Sequence, residues 1–325
     1  MKVATLLAAV GLACAAALLP LPSSAQDYPS RPIQFIIPST PGTTGDQLAR
    51  LLGPKLSQRW NVPVVVENKV GAGGMIGIEA GAKANPDGYT FLFSATAFST
   101  LPALRQNLPY DPIKSFSPVV LLGSSPLVLA VTNNLPAKTV GEFIAYAKKQ
   151  PPGKLNYASP GLGSVQHLTM ELFKQQTALH LTHIPYKGSG GALNDLAAGH
   201  VEASIVVLQT ALPLVQGGKI RVLAVVGPHR VAQLPKVPTL TEAGVQNVVS
   251  EAWFGITAPA GTPPAVIAKM NSEINSLLAL PEVKESMEKM GADPAGGKPE
   301  KLDVLVRSEL ETWSQVVKKS NIAAE

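Results

Sequence analysis

The stretch IQFIIPSTPGTTGDQLARLL, from Ile33 to Leu52, decides the fold because it places a strand, a turn and a helix in immediate succession. Residues 33–37 form an apolar run with the length of a buried strand. The apolar residues after the turn recur at helical spacing: Leu48, Leu51, Leu52 and Leu56. A strand that leads directly into an amphipathic helix is typical of an α/β fold, in which helices cover both faces of a parallel or mixed sheet.

The same alternation continues along the chain. Apolar runs rich in Val, Ile and Phe predict further strands at residues 62–66, 89–93, 119–122 and 127–131. A second α/β unit begins with Thr139 and Glu142, a capping-box pair that opens a helix reaching Gln150. Its strands are predicted at residues 155–158, 181–184, 203–208 and 220–226. A strand at residues 252–258 precedes a long amphipathic helix that starts at Thr262 and Pro263.

The order of these units predicts two lobes with a cleft between them. Lobe 1 comprises residues 26–125 and 253–325, lobe 2 comprises residues 126–252, and the chain crosses between the lobes near residues 123–128 and 248–254. The first crossing contains four turn-forming residues, Gly123, Ser124, Ser125 and Pro126. They predict either a hinge between the lobes or a simple turn within one sheet.

The amino terminus has the pattern of a secretory signal peptide. Lys2 precedes an apolar block over residues 3–21, and Ser23 and Ala25 stand at the spacing that signal peptidase requires. A transmembrane anchor is the alternative, but Pro and small residues end the block and favour cleavage after Ala25, over residues 1–25. Cys14 is the only cysteine, so the mature chain would hold no disulfide and no cysteine-ligated metal.

The remaining composition describes a globular protein, with 46% hydrophobic residues and a formal net charge of +5. Basic residues form no cluster longer than pairs such as Lys148 with Lys149, and this pattern argues against a nucleic-acid partner. No segment after the apolar block has the length and apolar character of a membrane span.

Two loops have the composition of an anion-binding site. Residues 38–46 are rich in glycine and hydroxyl side chains and feed a helix N terminus, where free N–H groups and the helix dipole favour negative charge. Asp46 leaves an alternative open, because its carboxylate could cap the same donors. Residues 159–164 in the second unit are also rich in glycine and hydroxyl side chains and also lead into a helix N terminus. The end of the strand at 89–93 also faces the predicted cleft, since ligands of open α/β sheets lie at the carboxyl ends of strands.

Other constellations are interpreted as structural. The glycines of residues 71–77 have the wrong spacing for a dinucleotide loop and predict a tight turn into a helix. His167 and Glu171 are interpreted as a solvated or locally hydrogen-bonded pair off the buried helix face, and a joint site of His180 and His183 is not expected. Trp253 is interpreted as an anchor of the core or lobe surface, with closure over a bound ring as the alternative. No serine lies in a Gly-x-Ser-x-Gly elbow, so the sequence offers no support for catalysis.

Several short motifs together resemble the Bug family, the periplasmic receptors of tripartite tricarboxylate transporters. The motifs occur in consistent order from Tyr28 to the C terminus: YPSRPI at 28–33, residues 38–46, VVENK at 65–69, GAGG at 71–74, PDGY at 86–89, LPYDP at 108–112, LNYAS at 155–159, PYKG at 185–188 and APAGT at 258–262. The resemblance implies a type II periplasmic-binding fold, carboxylate capture by the two loops, closure on the ligand, and delivery to a membrane partner or, in some relatives, signalling.

The sequence departs from the family pattern at two places that affect specificity. Thr43 and Thr44 stand where many relatives have a glycine run, and Ser39 stands where many have an aromatic residue. Val206 and Val207 stand where many relatives carry an Asp-Asn pair. The loss of that acid removes a partner for a ligand amine, so we expect a preference for carboxylates without an amino group.

These observations predict a monomeric periplasmic solute-binding protein that takes a small organic acid, a di- or tricarboxylate or an aromatic acid, and passes it to an inner-membrane transporter pair. No catalytic residue, cofactor or metal is expected. The alternatives are an exported enzyme or a ligand-sensing signalling receptor that uses the same cleft. The predicted ligand-binding residues are Ser39, Thr40, Gly42, Thr43, Thr44, Asp46, Ser94, Thr96, Ala97, Ser159, Gly161, Gly163, Ser164 and Gln209.

Overall fold

The computed structural model describes residues 28–322, and the predicted signal peptide over residues 1–25 lies outside that range. Within it, the strands are β1 Ile33–Ile37, β2 Val64–Asn68, β3 Thr90–Ala95, β4 Phe116–Thr132, β5 Asn156–Ser159, β6 Thr182–Pro185, β7 Ala203–Val207, β8 Ile220–Val225, β9 Glu251–Pro259 and β10 Asp293–Pro294. The helices are α1 Thr44–Trp60, α2 Met75–Ala82, α3 Ala97–Leu104, α4 Val140–Lys148, α5 Val165–Thr177, α6 Ser189–Ala198, α7 Leu208–Gln216, α8 Pro264–Leu278, α9 Pro281–Lys289 and α10 Pro299–Lys319.

Strand β4 connects the two halves of the sheet because each half of its length has different neighbours. From Phe116 to Pro126 it pairs antiparallel with β9, which in turn pairs antiparallel with β3, and β1 and β2 follow in parallel. From Leu127 onward it pairs antiparallel with β7 on one side and β8 on the other, and β5 and β6 continue in parallel beyond β7. The predicted mixed α/β sheet is therefore present.

A simple turn was one of the two predictions for the tetrapeptide Gly123–Pro126, and the structure does not show it. Ser124 pairs with Trp253 and Ser125 with Ala252, so β4 runs through this segment as one strand. Gly123 has a packing role instead, since a Cβ atom there would collide with the carbonyl oxygen of Asp293 on β10. The two strands predicted on either side of the tetrapeptide are thus one strand.

Other local predictions are confirmed. Thr139 caps α4, where its Oγ1 accepts a hydrogen bond of 3.2 Å from the N–H of Glu142. The glycine-rich segment after β2 forms a single 3₁₀ turn, Ala72–Gly74, that leads into α2. Helix α7 begins directly after β7, one residue separates β3 from α3, and five residues separate β5 from α5.

Two large apolar clusters lie against the two halves of the sheet. One surrounds Phe35, Phe91 and Phe93 and is covered by α1 and α8, and the other surrounds Phe143, Tyr157 and Phe173 and is covered by α4, α5 and α10. Among residues 28–322, none of the helices combines the length and hydropathy needed to cross a membrane.

Candidate functional site

The first predicted loop, residues 38–43 and called L1 below, is held by side-chain hydrogen bonds to the start of α1. Ser39 Oγ lies 2.8 Å from Thr43 Oγ1, which also donates to the carbonyl oxygen of Thr40 at 2.9 Å. The N–H of Gly42, a residue with φ of +85°, donates to Asp46 Oδ2 at 2.9 Å. L1 is therefore preformed without a ligand.

The Asp46 side chain is buried beneath L1 and does not face the solvent. Its side chain is buried at 2% exposure and accepts hydrogen bonds from Arg50, from the Gly42 N–H and from Asn68. Burial alone would raise the pKa of the carboxyl group, but these donors outweigh it and hold the pKa below the usual 3.8. Asp46 thus stays ionised, and its oxygens are already used by these three partners.

Three backbone donors at the start of α1 remain available. The N–H groups of Thr44, Gly45 and Asp46 have no hydrogen-bond partner within the described part of the chain, and the N-cap residue Thr43 makes no side-chain cap. Asp46 therefore caps Gly42 but not the helix itself. Open N–H groups at a helix N terminus favour an anion, although the ionised Asp46 already places one negative charge in this first turn.

The second loop, residues 160–164 and called L2 below, follows β5. Ser159 Oγ accepts from the Gly161 N–H at 3.2 Å, and Ser164 Oγ donates to the Gly161 carbonyl oxygen at 2.8 Å. Ser164 Oγ also accepts from the N–H of His167 at 3.2 Å and so caps α5. The N–H groups of Val165 and Gln166 keep no partner among residues 28–322.

Helix α3 lies between the two loops. Its first residue, Ala97, approaches Gly74, whose added Cβ would lie 3.8 Å from the Ala97 Cβ and 3.2 Å from the carbonyl oxygen of Pro38 in L1. Its last residue, Leu104, packs directly on Gly163 of L2. Its eight residues span about 12 Å, so the two contacts lie at opposite ends of one short helix.

Ser94 and Thr96 connect β3 to α3. Ser94 is 2% exposed, and its hydroxyl has no hydrogen-bond partner within the described residues. Thr96 is the N-cap of α3, and its carbonyl oxygen accepts from the Ser99 hydroxyl at 3.0 Å. A buried hydroxyl without a partner costs free energy and is a candidate contact for a bound polar group.

Gln209 contacts the end of α9. Its side-chain amide donates to the carbonyl oxygen of Lys289 at 3.3 Å, and its Cβ packs against Gly291 after α9. The structure therefore brings together the predicted residues of L1, β3 and α3, places those of L2 at the far end of α3, and puts Gln209 on a contact with α9.

Sequence reasoning missed a buried cluster directly behind L2. Of the two interpretations of His167 and Glu171, the solvated one is wrong, because they are 2% and 8% exposed, and each makes local hydrogen bonds instead. Tyr157 Oη donates to Glu171 at 2.5 Å, and the rings of His167 and His183 stack with centroids 4.0 Å apart. His180 is exposed and takes no part. Helix α5 is buried on several faces because α10 covers its outer side, and its sequence alone does not show this cover.

Trp253 is an anchor of the core, as first interpreted. It is 2% exposed, and its indole N–H donates to Glu309 Oε2 at 2.7 Å. The Ser99 hydroxyl contacts the same oxygen at 2.5 Å, and burial raises the pKa of Glu309. Trp253 therefore links β9 to α10 instead of facing L1 or L2.

Metal ligation has no support in this part of the chain. Among residues 28–322, no three His, Cys, Asp or Glu side chains group closely enough to hold a metal ion.

Comparison with known proteins gives consistent matches over nearly the whole chain. A family model described as "Tripartite tricarboxylate transporter family receptor" matches residues 48–322. Protein BugT of Bordetella pertussis is 37% identical over 322 residues, or 98% of each chain. A solved R. palustris protein with adipate has a TM-score of 0.78 at 36% identity, covering 91% of this chain and 99% of that one. MatC from Rhodopseudomonas palustris with bound malate has a TM-score of 0.75 at 31% identity, covering 89% of this chain and 100% of that one.

Proposed function

Because the chain belongs to the tripartite tricarboxylate transporter receptor family, and is on that ground a periplasmic carboxylate-binding receptor, we propose that it holds a dicarboxylate between L1 and L2. Its fold is the expected two-lobed α/β fold of periplasmic binding proteins. We assign residues 26–125 and 253–325 to lobe 1 and residues 126–252 to lobe 2, with the hinge where β4 and β9 run side by side. The cleft then lies between the lobes.

The observation that carries this proposal is the set of open backbone donors at two helix N termini. Thr44, Gly45 and Asp46 offer N–H groups at α1, and Val165 and Gln166 offer them at α5. Each set favours one carboxylate through hydrogen bonds and the helix dipole. A ligand with an acidic group at each end would engage both sets, and bridging them would favour closure of the lobes.

Helix α3 spans about 12 Å and contacts L2 through Leu104, while its first residue lies beside Gly74, which approaches Pro38 of L1. We infer that the two sets of donors suit a short dicarboxylate, a linear chain of a few carbon atoms with a carboxylate at each end. Ser94, whose hydroxyl has no partner in the described residues, is placed to contact the ligand near L1.

Receptor function without catalysis fits the chemistry of these groups. L1 and L2 present backbone donors and hydroxyls, and the carboxylate nearest to them, Asp46, is occupied by Arg50 and Asn68. The imidazoles next to L2 are likewise occupied, since His167 accepts from the N–H of Gly163 and His183 pairs with the Ser159 hydroxyl. We therefore propose delivery of the bound acid to an inner-membrane transporter pair. Turnover of a bound acid by the purified protein would overturn the assignment.

A thermal-shift panel tests the proposed ligand class. The mature protein is heated with succinate, malate, adipate, citrate and benzoate in turn, and a ligand that binds only the folded state raises the melting temperature. We expect the largest shift from a dicarboxylate. If none of these acids stabilises the protein after refolding from denaturant, which removes any copurified ligand, the proposal is wrong.

We predict that amino acids bind more weakly than their deaminated analogues. Val206 is buried at 4% exposure, and Val207 is the N-cap residue of α7. Neither valine has a carboxylate that could pair with the amine of a ligand. Glutamate should therefore bind about tenfold or more weakly than glutarate, because a desolvated ammonium without a partner costs at least about 1.4 kcal/mol. Calorimetric titration of both ligands measures the difference, and equal affinities would contradict the prediction.

Thr44→Ala and Ser164→Ala should have different effects. Ser164 caps α5, so its replacement should lower the free energy of unfolding by about 1 kcal/mol even without ligand. Thr44 makes no such cap, so its replacement should leave stability within about 0.5 kcal/mol. We propose that its hydroxyl donates a hydrogen bond to the ligand carboxylate, so the same replacement should weaken dicarboxylate binding about tenfold. Thr312→Ala, on α10, serves as the control. Stability lowered equally in both variants would contradict this division of roles.

A further inference from the structure

The buried cluster behind L2 makes one direct contact with the loop. The N–H of Gly163, in the middle of L2, donates to Nδ1 of His167 at 3.1 Å. Nδ1 can accept this bond only while it carries no proton. Because Gly163 has φ of +74° and lies beneath Leu104, this bond fixes a backbone conformation that few residues other than glycine adopt.

His183 contributes a second contact from the neighbouring strand. Its Nε2 lies 2.7 Å from Ser159 Oγ, the atom that accepts the N–H of Gly161. The two imidazole rings stack at 4.0 Å with 13° between their planes, and the Tyr157 ring lies 4.9 Å from the His183 ring. Both ends of L2 therefore depend on one stack of aromatic rings.

The charged groups around the stack come from three elements. Glu171 and Lys174 face it from α5, where they form an ion pair of 2.6 Å, and Tyr157 on β5 donates to Glu171. Ser320, at the end of α10, also bonds to Glu171. Burial is the main cause that lowers the pKa of His167 and His183, each to about 4; Glu171 opposes this effect, while Lys174 adds to it.

We propose that His167 is a positioning residue for carboxylate binding, whose unprotonated Nδ1 holds L2 in its receiving shape, and that protonation of the His167–His183 stack frees L2 and releases the ligand. This inference rests on the proposed function, because it concerns the same loop. A fall in pH would then release the ligand. The groups that take up the protons, His167 and His183, lie behind the ligand site and do not contact the ligand.

The direction of the pH effect follows from linkage. When the stack is disrupted, both imidazoles return towards their usual pKa of 6.5, so the disrupted state binds more protons than the intact one. The intact state is fully favoured above pH 6.5 and loses free energy as the pH falls from 6.5 to about 4. A second proton on the stack adds repulsion between two cations about 4 Å apart.

Two variants separate positioning from titration. His167→Phe keeps the stacked ring but removes the acceptor, so adipate and malate should bind about tenfold more weakly at pH 7. The double variant H167N/H183Q places amide groups where Nδ1 and Nε2 lie, so it restores the acceptor without a group that titrates. We expect it to bind at pH 7 within about threefold of the wild-type protein.

The pH profile is the deciding measurement. Between pH 7 and pH 4.5 the wild-type affinity for adipate should fall at least about tenfold more than that of H167N/H183Q, because protonation of adipate itself affects both proteins equally. Circular dichroism at pH 4.5 confirms that both remain folded. Equal losses in the two proteins, or undiminished binding by H167F at pH 7, would overturn the inference and leave the proposed function intact.

The Gly163 amide gives a readout that needs no ligand. In a nitrogen–proton NMR spectrum its proton signal should move as the hydrogen bond to His167 is lost, with a midpoint near the titration of the His167 ring. A Gly163 signal that does not change over this range would also overturn the inference. If neither adipate nor malate binds the wild-type protein at any pH, the proposed function fails, and the inference about ligand release fails with it.

Discussion

Gly163→Val should abolish dicarboxylate binding. Gly163 has φ of +74°, which a β-branched residue adopts only with strain, and an added Cβ would collide with the side chain of Leu104 on α3. L2 must then change shape or move away from α3, so the donors of L1 and L2 no longer meet one ligand. We expect the affinity for adipate and malate to fall at least about 100-fold, or about 3 kcal/mol, by calorimetric titration at pH 7.5.

Gly141→Val is the matched control for this substitution. Gly141 lies in α4, and a Cβ there would meet no atom within 4 Å. It should leave ligand affinity unchanged, since α4 contacts neither loop. Binding by Gly163→Val within about threefold of the wild-type protein would show that L2 is not part of the site.

Gly77→Ala should cause a large loss of stability. An added Cβ would lie 2.6 Å from the carbonyl oxygen of Lys69 and 2.6 Å from the Cα of Pro38. Both are backbone atoms of neighbouring segments, so α2 cannot relieve the clash through a side-chain rotation. We expect the free energy of unfolding, measured in urea, to fall by about 3 kcal/mol.

The clash also predicts an effect on function, because Pro38 begins L1. Displacement of Pro38 should weaken dicarboxylate binding even at temperatures where the variant remains folded. Gly141→Ala controls for helix propensity and should be neutral or stabilising by up to about 1 kcal/mol. Stability of Gly77→Ala equal to that of Gly141→Ala would contradict the packing of α2 on L1.

The strands and most helix starts could be predicted because their signals are local. The apolar run at residues 33–37 became β1 without a shift, and the capping pair of Thr139 and Glu142 opened α4. Family membership was also predicted from short motifs, since their order along the chain is specific, and the comparisons confirm it. In these segments the local preference for strand or helix agrees with the element that forms in the fold.

The parts that could not be predicted depend on contacts between distant segments. Gly123 and Pro126 have turn-forming composition, but pairing with β9 holds them in an extended strand. His167 lies off the apolar face of α5, but α10 and β6 bury it. Capping of the helix donors by Asp46 was an alternative that the sequence left open, whereas Arg50 and Asn68 orient its carboxylate towards Gly42. In each case tertiary packing decides between local alternatives.

The position of β9 in the sheet determines the order in which the strands can pair. β9 lies between β3 and β4 in the sheet, although it is synthesised after β8. The chain is synthesised from its N terminus, so β5 to β8 can assemble on β4 before β9 exists. Until β9 is complete at Pro259, the edges of β3 and β4 that it will pair with have no neighbouring strand. Unpaired edges are the surfaces at which chains aggregate. The amino-terminal part of the sheet is therefore made first and completed last, and its strand edges stay unpaired for the longest time.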